Sequence, residues 1–390
     1  MDLGLVDDEL AACVSCGLCL SHCPTFRVTG EEAYSPRGRI DAMRAVHLHG
    51  ADADEQFREY IDTCVQCRGC EPACPSGVRF GHLMETTRSA LQDNGFGPSK
   101  VERMGFSVLR HDRVLRAGSR LMAIAQRAKL IPGRIGLPRI PVRQSPAVVA
   151  TAPPGDEEVW LFTGCVMDAW MRDTHRSTAR LLDALGVRYG VSGAEAGCCG
   201  ALHLHAGLHR DATDMARQVM DTIGDSGDVV VDSAGCGAMM KEYGVLIADA
   251  AGFASRVYDV NEFIAARLDR LQLSTQRLGP VIVQDPCHLR HVQRSHLAVR
   301  TLISEIAEVV ELADDGLCCG AGGAYSAQHP ELAGAIRERK VEAIADAAGR
   351  SGASIVVSSN PGCLGHLESS LAELGLSIRH PVDLLAEALV

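Results

Sequence analysis

The sequence reads CVSCGLCLSHCP from Cys13 to Pro24, and CVQCRGCEPACP from Cys64 to Pro75. Each stretch places four cysteines at the spacing Cys-x2-Cys-x2-Cys-x3-Cys and ends in Cys-Pro. The chain has 390 residues and 16 cysteines, so these two runs hold half of all its thiols. Whatever the pattern builds, the chain builds it twice.

The composition limits what these cysteines can do. The first residues, MDLGLVDDELAAC, are acidic and lack the apolar core of a secretory signal, and no apolar run is long enough to span a bilayer. We therefore expect a cytoplasmic protein, in which disulfides are rare and clustered cysteines bind metal or carry out redox chemistry. A net charge of −11 argues against nucleic acid as a partner.

Three interpretations of the doubled pattern can be compared. A disulfide framework fits poorly with a reducing compartment. Zinc takes Cys-x2-Cys pairs, but each run here is a triplet followed by a more distant cysteine and a proline. The spacing favours a pair of [4Fe–4S] clusters, because in two-cluster ferredoxins three close thiolates hold one cluster and the fourth reaches the other. We predict one cluster on Cys13, Cys16, Cys19 and Cys74, and a second on Cys64, Cys67, Cys70 and Cys23.

The residues between the two runs predict a helix rather than a short turn. Pro36 suits a helix start. A loose helical periodicity follows, made by Ile40, Met43, Ala45, Val46 and Leu48. With the two runs, this insert indicates an α-helical ferredoxin domain over residues 1–95.

Residues 96–155 read as a basic helical segment followed by a linker rich in Pro and Gly. From Lys100 to Arg143 there are eleven Lys or Arg residues and two acidic ones, a local charge of +9 in an acidic chain. Two amphipathic helices with basic faces are predicted by the apolar series Val101, Met104, Val108, Leu115 and Leu121, Ile124, Ala125, Ala128. Two interpretations stay open: a solvated face packed on the ferredoxin domain, or a docking surface for anionic lipid or an acidic partner.

The second half of the chain is an internal repeat, with one copy over residues 156–278 and the other over 279–390. Each copy has a β-branched run ending at a cysteine, a helical pattern, Cys-Cys-Gly, a second helix and a second β-branched run ending at Gly-Cys. Strands that alternate with helices predict two α/β lobes with parallel strands. The cysteines fall at predicted carboxyl ends of strands, where ligands bind in such folds.

Each lobe thus offers four cysteines that are candidate ligands of a further cluster. They are Cys165, Cys198, Cys199 and Cys236 in the first lobe, and Cys287, Cys318, Cys319 and Cys363 in the second. The alternative is that they are buried structural cysteines. Their repetition beside glycines at strand ends favours a thiolate-bound cofactor or a thiol redox site. Gly200 and Gly320 would let the backbone approach a bulky ligand closely.

The motifs CVSCGLCLSHCPTF, SPRGRI, CVQCRGCEPACPSGV and QDPCHLRHVQ resemble those of bacterial glycolate oxidase iron–sulfur subunits, over nearly the whole chain. The chain is similar, more loosely, to iron–sulfur subunits of lactate-utilisation and anaerobic glycerol-3-phosphate dehydrogenase systems and to the CCG subunit of heterodisulfide reductase. The resemblance implies an electron-transfer subunit of an oxidoreductase. Its partner would be an FAD-containing subunit that oxidises a 2-hydroxy acid, glycolate or D-lactate. Its acceptor would be a quinone, which suggests peripheral contact with the inner face of the cell membrane.

The chain departs from the heterodisulfide reductase pattern at two positions. That family carries a further cysteine where this chain has Met239 and His366. Each lobe therefore lacks a fifth cysteine, which argues against the alternative function, a self-contained thiol/disulfide reductase acting at the CCG cysteines. Four thiolates still suffice for an ordinary [4Fe–4S] cluster in either lobe.

Two further expectations concern protons and nucleotides. His288 and His291 follow Cys287 and are candidate proton carriers for quinone reduction, although such histidines are more often polar loop groups. No G-x-G-x-x-G fingerprint opens either lobe between a strand and a helix. We therefore expect no FAD or NAD bound by this chain.

Overall fold

The computed structural model describes residues 1–128, 130, 139–153, 155–314 and 316–390. Lys129 and Arg134 of the basic segment, and much of the stretch rich in Pro and Gly, lie outside the described residues. Among the described residues, no helix combines the length and the apolar character needed to cross a bilayer.

The N-terminal region is helical, as the sequence predicted. Its helices are α1 (Asp7–Ala11), α2 (Pro24–Thr29), α3 (Pro36–His47), α4 (Glu55–Asp62) and α5 (Phe80–Asp93). Pro36 opens α3, and the Ser35 side chain accepts a hydrogen bond from the backbone N–H of Gly38. Ile40, Met43 and Val46 of the predicted periodic set are buried in the core of this domain. The core of α3, α4 and α5 holds the two cysteine loops against each other.

A buried arginine joins these helices. Arg39 is fully buried and donates from Nε to the carbonyl oxygen of Tyr60 at 2.6 Å. Its Nη atoms donate to the carbonyl oxygen of Tyr34 and to the hydroxyls of Thr25 and Thr63. One guanidinium therefore satisfies polar groups from three chain segments, and its fixed fork suits that geometry.

Replacing Arg39 by methionine should destabilise the N-terminal domain by about 3 kcal/mol or more, because several buried acceptors lose their donor. The midpoint of thermal unfolding, followed by far-UV circular dichroism, measures the effect. Arg27→Met is the matched control, since Arg27 is exposed on α2. Equal midpoints for the two variants would show that Arg39 does not hold the domain together.

Two helices follow, α6 (Lys100–Val108) and α7 (Asp112–Arg127), as the sequence predicted. They pack largely on the first lobe rather than on the ferredoxin domain alone. Trp170 donates its indole N–H to Ser119 at 2.8 Å, and the Phe106 ring lies 5.6 Å from that of His203. The predicted interpretation of packing on the ferredoxin domain was therefore incomplete.

The apolar series of the sequence analysis mixed two faces of these helices. Leu115, which we had grouped with Met104 and Val108, is buried, whereas Met104 is exposed. The buried positions of α7 are Leu115, Ser119 and Ala123. The exposed apolar side is formed instead by Val114, Leu121 and Ile124. Apolar periodicity predicts an amphipathic helix. It does not show which face is buried when both faces carry apolar residues.

The first lobe begins at β1 (Val159–Phe162). It continues with α8 (Val166–Trp170), α9 (Arg172–Ala184), β2 (Tyr189–Val191), α10 (Gly193–Ala196), α11 (Ala201–His205), α12 (His209–Ile223), β3 (Asp228–Val231), α13 (Ala234–Lys241), α14 (Tyr243–Leu246), α15 (Ala251–Ala254), β4 (Val257–Asp259) and α16 (Val260–Ala265). The second lobe begins at β5 (Val281–Val283). It continues with a π-helical turn (His288–Val292), α17 (Leu297–Ile306), β6 (Val309–Val310), α18 (Tyr325–Gln328), α19 (Pro330–Ser351), β7 (Ile355–Val357), α20 (Pro361–Glu373), β8 (Ser377–Arg379) and α21 (Pro381–Glu387).

Both lobes contain a parallel four-stranded sheet, which confirms the predicted α/β class. The strand orders are β2-β1-β3-β4 and β6-β5-β7-β8. Leu161 of β1 pairs with Val230 of β3, and Ile282 of β5 pairs with Val356 of β7. The edge strands β2, β4, β6 and β8 were not predicted, because they are only two or three residues long. In the first sheet, β2 lies on one side of β1 and β3 on the other, and β6 and β7 flank β5 in the same way. A switch point therefore lies between the two central strands of each sheet.

The last helix of each lobe packs on the other lobe. Helix α21 contacts α9, and α16 contacts α17. The Thr174 hydroxyl lies 3.2 Å from a carboxylate oxygen of Asp383 across the first of these pairs. One apolar core therefore runs through both lobes. This reciprocal packing makes the two lobes one unit and gives their matching C-terminal ends a physical role.

Candidate metal centres

The two N-terminal cysteine loops share an unusual backbone. Ser15 and Gly17 in the first loop have positive φ angles of 56° and 81°. Gln66 and Arg68 occupy the equivalent positions of the second loop, with φ of 55° and 58°. A left-handed non-glycine residue costs about 1–3 kcal/mol and persists where the surroundings require it. The recurrence indicates that both loops are wound to direct their thiols inward.

The structure groups the eight N-terminal thiols into two neighbouring cavities. One cavity is lined by Cys13, Cys16, Cys19 and Cys74, and also by Cys70. The other is lined by Cys23, Cys64, Cys67 and Cys70. The fourth cysteine of each run therefore lies with the first three of the other run. The protein brings together the same sets of four that the sequence analysis predicted as ligands.

The two sets differ in their access to solvent. Cys16 is exposed, and Cys13, Cys19 and Cys74 are half-buried. Of the other set, Cys23, Cys64, Cys67 and Cys70 are all buried. The first set therefore faces the surface, and the second set faces the interior of the protein. We call them the outer set and the inner set.

The first lobe gathers its four cysteines beside the switch point of its sheet. Cys165 follows β1, Cys236 lies in the first turn of α13 after β3, and Cys198 and Cys199 precede Gly200. The sulfur atoms of Cys165 and Cys198 are 3.4 Å apart. Hydrogen bonds from Cys165 and Cys199 hold the pKa of the Cys198 thiol well below its usual value.

The second lobe repeats this arrangement. Cys287 follows β5, and Cys363 lies in the first turn of α20 after β7. The sulfur atoms of Cys319 and Cys363 are 3.2 Å apart. Hydrogen bonds from Cys287, Cys319 and Cys67 hold the pKa of the Cys318 thiol well below its usual value. Each lobe thus gathers four cysteine sulfur atoms, and these are soft donors of the kind that hold iron–sulfur clusters as thiolates.

The glycine after each Cys-Cys pair serves packing. Gly200 and Gly320 have φ of 87° and 90°. A Cβ atom at Gly200 would lie 3.0 Å from the carbonyl oxygen of Ala212, and one at Gly320 would lie 2.7 Å from that of Ala333. The expected close approach to a ligand stays a prediction, and the structure adds a close approach to protein backbone. The backbone that approaches is that of the following long helix, which fixes the two cysteines.

The second lobe meets the inner set directly. The Cys67 and Cys318 thiols lie in one buried cluster, although the two residues belong to different domains. His288 Nε2 lies 3.0 Å from the carbonyl oxygen of Gln66, and Val65 and Tyr325 share an apolar cluster with both thiols. This contact was not predicted from the sequence. No local motif signals it, because the contact joins residues more than 200 positions apart.

The two candidate proton carriers lie at the same junction. Burial lowers the pKa of His288 to about 4, and burial together with Arg290 lowers the pKa of His291 to about 4. Both rings are therefore neutral at pH 7 in this structure. The role that we predicted for them stays a prediction. His205, on the first lobe, lies 3.4 Å from Glu85 of the ferredoxin domain, and its ring is 5.6 Å from that of His288.

Comparison with known proteins matches the same divisions. A 4Fe-4S dicluster domain covers residues 9–78, and a cysteine-rich domain of the CCG type matches twice, over residues 159–241 and 281–368. The probable glycolate oxidase iron-sulfur subunit of Bacillus subtilis (strain 168) is 32% identical, over 98% of this chain and 94% of its own. The glycolate oxidase iron-sulfur subunit of Escherichia coli (strain K12) is 30% identical, over 98% and 95%. A dihydromethanophenazine:CoB–CoM heterodisulfide reductase subunit of Methanosarcina mazei is 28% identical, over 98% and 94%.

Proposed function

The chain belongs to the family of glycolate oxidase iron–sulfur subunits, and from that premise we propose that it carries electrons from an FAD-containing subunit toward a quinone. The partner oxidises a 2-hydroxy acid, glycolate or D-lactate. This chain holds one [4Fe–4S] cluster on the outer set, one on the inner set, and a further cluster in the CCG lobes.

The observation that carries the proposal is the succession of thiol sets through the protein. The outer set lies near the surface, and Cys70 of the inner set lines the cavities of both sets. The inner set contacts the second lobe where Cys67 and Cys318 share a buried cluster. Iron–sulfur clusters bound there would supply one-electron carriers. The chain itself excludes water from the inner set and fixes the distance between neighbouring sets.

Purification from the native host tests this function. The chain should co-purify with a flavoprotein, and the isolated chain should not oxidise glycolate or D-lactate. Adding the flavoprotein should give substrate-dependent reduction of the iron–sulfur chain, followed as bleaching of its visible absorption. The proposal would be refuted if neither substrate, added with the flavoprotein, bleached the visible absorption of this chain.

A second function, disulfide reduction at the CCG cysteines, rests on the similarity to the heterodisulfide reductase subunit. Met239 and His366 occupy the positions of that family's further cysteines, and both are buried. The isolated chain should turn over a mixed disulfide with an artificial reductant if this function holds. The electron-transfer proposal expects no such turnover.

The exposed side of α7 supports membrane attachment. Val114, Leu121 and Ile124 form an apolar row along the helix, and the exposed Arg113 and Arg120 flank it. Arg110 and Arg116 instead pair with Asp211 and Asp168 of the first lobe. We propose that this row and its two flanking arginines, the α7 face, contact an anionic membrane surface.

The Arg113→Glu/Arg120→Glu variant should bind vesicles containing anionic phospholipid about thirtyfold less tightly, since each basic residue contributes on the order of 1 kcal/mol. Co-sedimentation at low salt measures the affinity. Leu121→Asp should also weaken binding, whereas the control Leu297→Asp, similarly exposed on the second lobe, should not. Unchanged binding by both α7 variants would show that the α7 face is an ordinary solvated surface.

A further inference from the structure

A cavity of about 240 Å³ lies where the ferredoxin domain, α6 and both lobes meet. An engineered cavity of about 150 Å³ is large enough for benzene. The cavity here can therefore hold one substituted ring. Its apolar wall includes Val65, Leu202 and Phe106, one side chain from each of three regions of the chain.

Three side chains that line this cavity, Gln66, Arg88 and Tyr325, each carry a buried polar atom without a partner. Gln66 Oε1, Arg88 Nε and Tyr325 Oη make no hydrogen bond within the part of the chain that the structure describes. Gln66 and Tyr325 are each only 4% exposed. Buried polar groups without a partner are costly and are normally satisfied by protein, water or a ligand. The set offers two hydrogen-bond donors and one acceptor around a ring-sized space.

The cavity lies next to the inner set and the second lobe's cysteines, which hold the proposed electron carriers. Cys64 of the inner set lines it, and Arg88 donates to the carbonyl oxygen of Cys64 at 3.0 Å. Gly322 comes from the loop that follows Cys318 and Cys319, and Tyr325 is the first residue of α18 after that loop. Phe96 lines the cavity and is 45% exposed, so the cavity opens to the surface.

The charges of the lining select against an anion. Asp62 and Glu102 line the cavity together with Arg88, whose Nη atoms are already bonded to backbone carbonyl oxygens. A 2-hydroxy carboxylate would therefore meet more negative than free positive charge. A neutral ring carrying two carbonyl oxygens matches the two donors and the apolar wall.

We propose that this cavity binds the headgroup of the quinone acceptor, with Arg88 Nε and Tyr325 Oη donating to its carbonyl oxygens. The inference rests on the proposed function, since it locates the acceptor of that electron path. The flavin partner first reduces this chain. The bound quinone then takes two electrons from the reduced chain and two protons from solvent through the opening. It leaves as the quinol, whose new hydroxyl can donate to Gln66 Oε1.

Binding of menadione, a soluble quinone, to the anaerobically purified full-length holoprotein tests the site by isothermal titration calorimetry. Tyr325→Phe should raise the Kd about tenfold by removing one donor. Ala206→Trp places an indole in the cavity, because Ala206 lines it, and should abolish binding. The control Tyr258→Phe, outside the cavity, should bind like the wild type. Iron content, measured in parallel, reports whether each variant keeps its clusters.

The outcomes distinguish failure of the quinone site from failure of the proposed electron-transfer function. If Tyr325→Phe and Ala206→Trp bind menadione as the wild type does, or if the wild type does not bind it, the cavity is not the quinone site. The electron-transfer proposal then still stands if the flavoprotein and substrate bleach the chain. A chain that the flavoprotein cannot reduce would overturn the function as well.

Discussion

Replacing Cys74 by serine should remove the cluster of the first cysteine run and leave that of the second run in place. Cys74 belongs to the second run by sequence, but it lines the cavity of Cys13, Cys16 and Cys19. Losing one thiolate of four should release about four iron atoms of the roughly eight held by two [4Fe–4S] clusters. Iron analysis and low-temperature EPR of the reduced protein measure the loss and the disappearance of spin coupling.

The spectra of other variants provide the control. Cys74→Ser should give the same residual EPR signal as Cys13→Ser, and Cys23→Ser the same signal as Cys64→Ser. If Cys74→Ser instead matched Cys64→Ser, each run would hold its own cluster and the crossed assignment would be wrong. Zinc in place of iron in the anaerobically isolated protein would reject the cluster assignment altogether.

Replacing Cys318 by serine should lower the iron content of the full-length protein by about one cluster while the two N-terminal clusters remain. Cys318 is buried in one cluster with Cys67 of the inner set, and Cys287 packs against that cluster. The substitution removes a ligand and adds no bulk, so the lobe should stay folded. Iron analysis, together with far-UV circular dichroism, distinguishes loss of metal from loss of structure.

The internal repeat supplies the matched control for this variant. Cys198 is the equivalent thiol of the first lobe. Iron loss in Cys318→Ser but not in Cys198→Ser would assign the further cluster to the second lobe alone. Full iron content in the Cys318 variant would show that its lobe binds no cluster, and that electrons leave the inner set by another path.

Much of the fold could be predicted because its signals are local. The helix at Pro36–His47 follows from a proline, a capping serine and an apolar periodicity within a dozen residues. The central strands β1, β3, β5 and β7 are short apolar runs that are largely buried, which is typical of a parallel sheet. The two-residue strand β6 carries too little pattern to predict, and it exists because β5 pairs with it.

The sequence by itself determined which cysteines lie together in the N-terminal domain, because the doubled spacing and the Cys-Pro endings restrict how so short a loop can direct its thiols. It also determined the repeat and the family of the chain. The tertiary structure alone decided that Cys67 lies beside Cys318 and that α16 and α21 each pack on the other lobe. It alone also placed Gln66, Arg88 and Tyr325 around one cavity. These contacts join segments far apart in the chain. They depend on how whole surfaces pack, and no spacing within a motif encodes that.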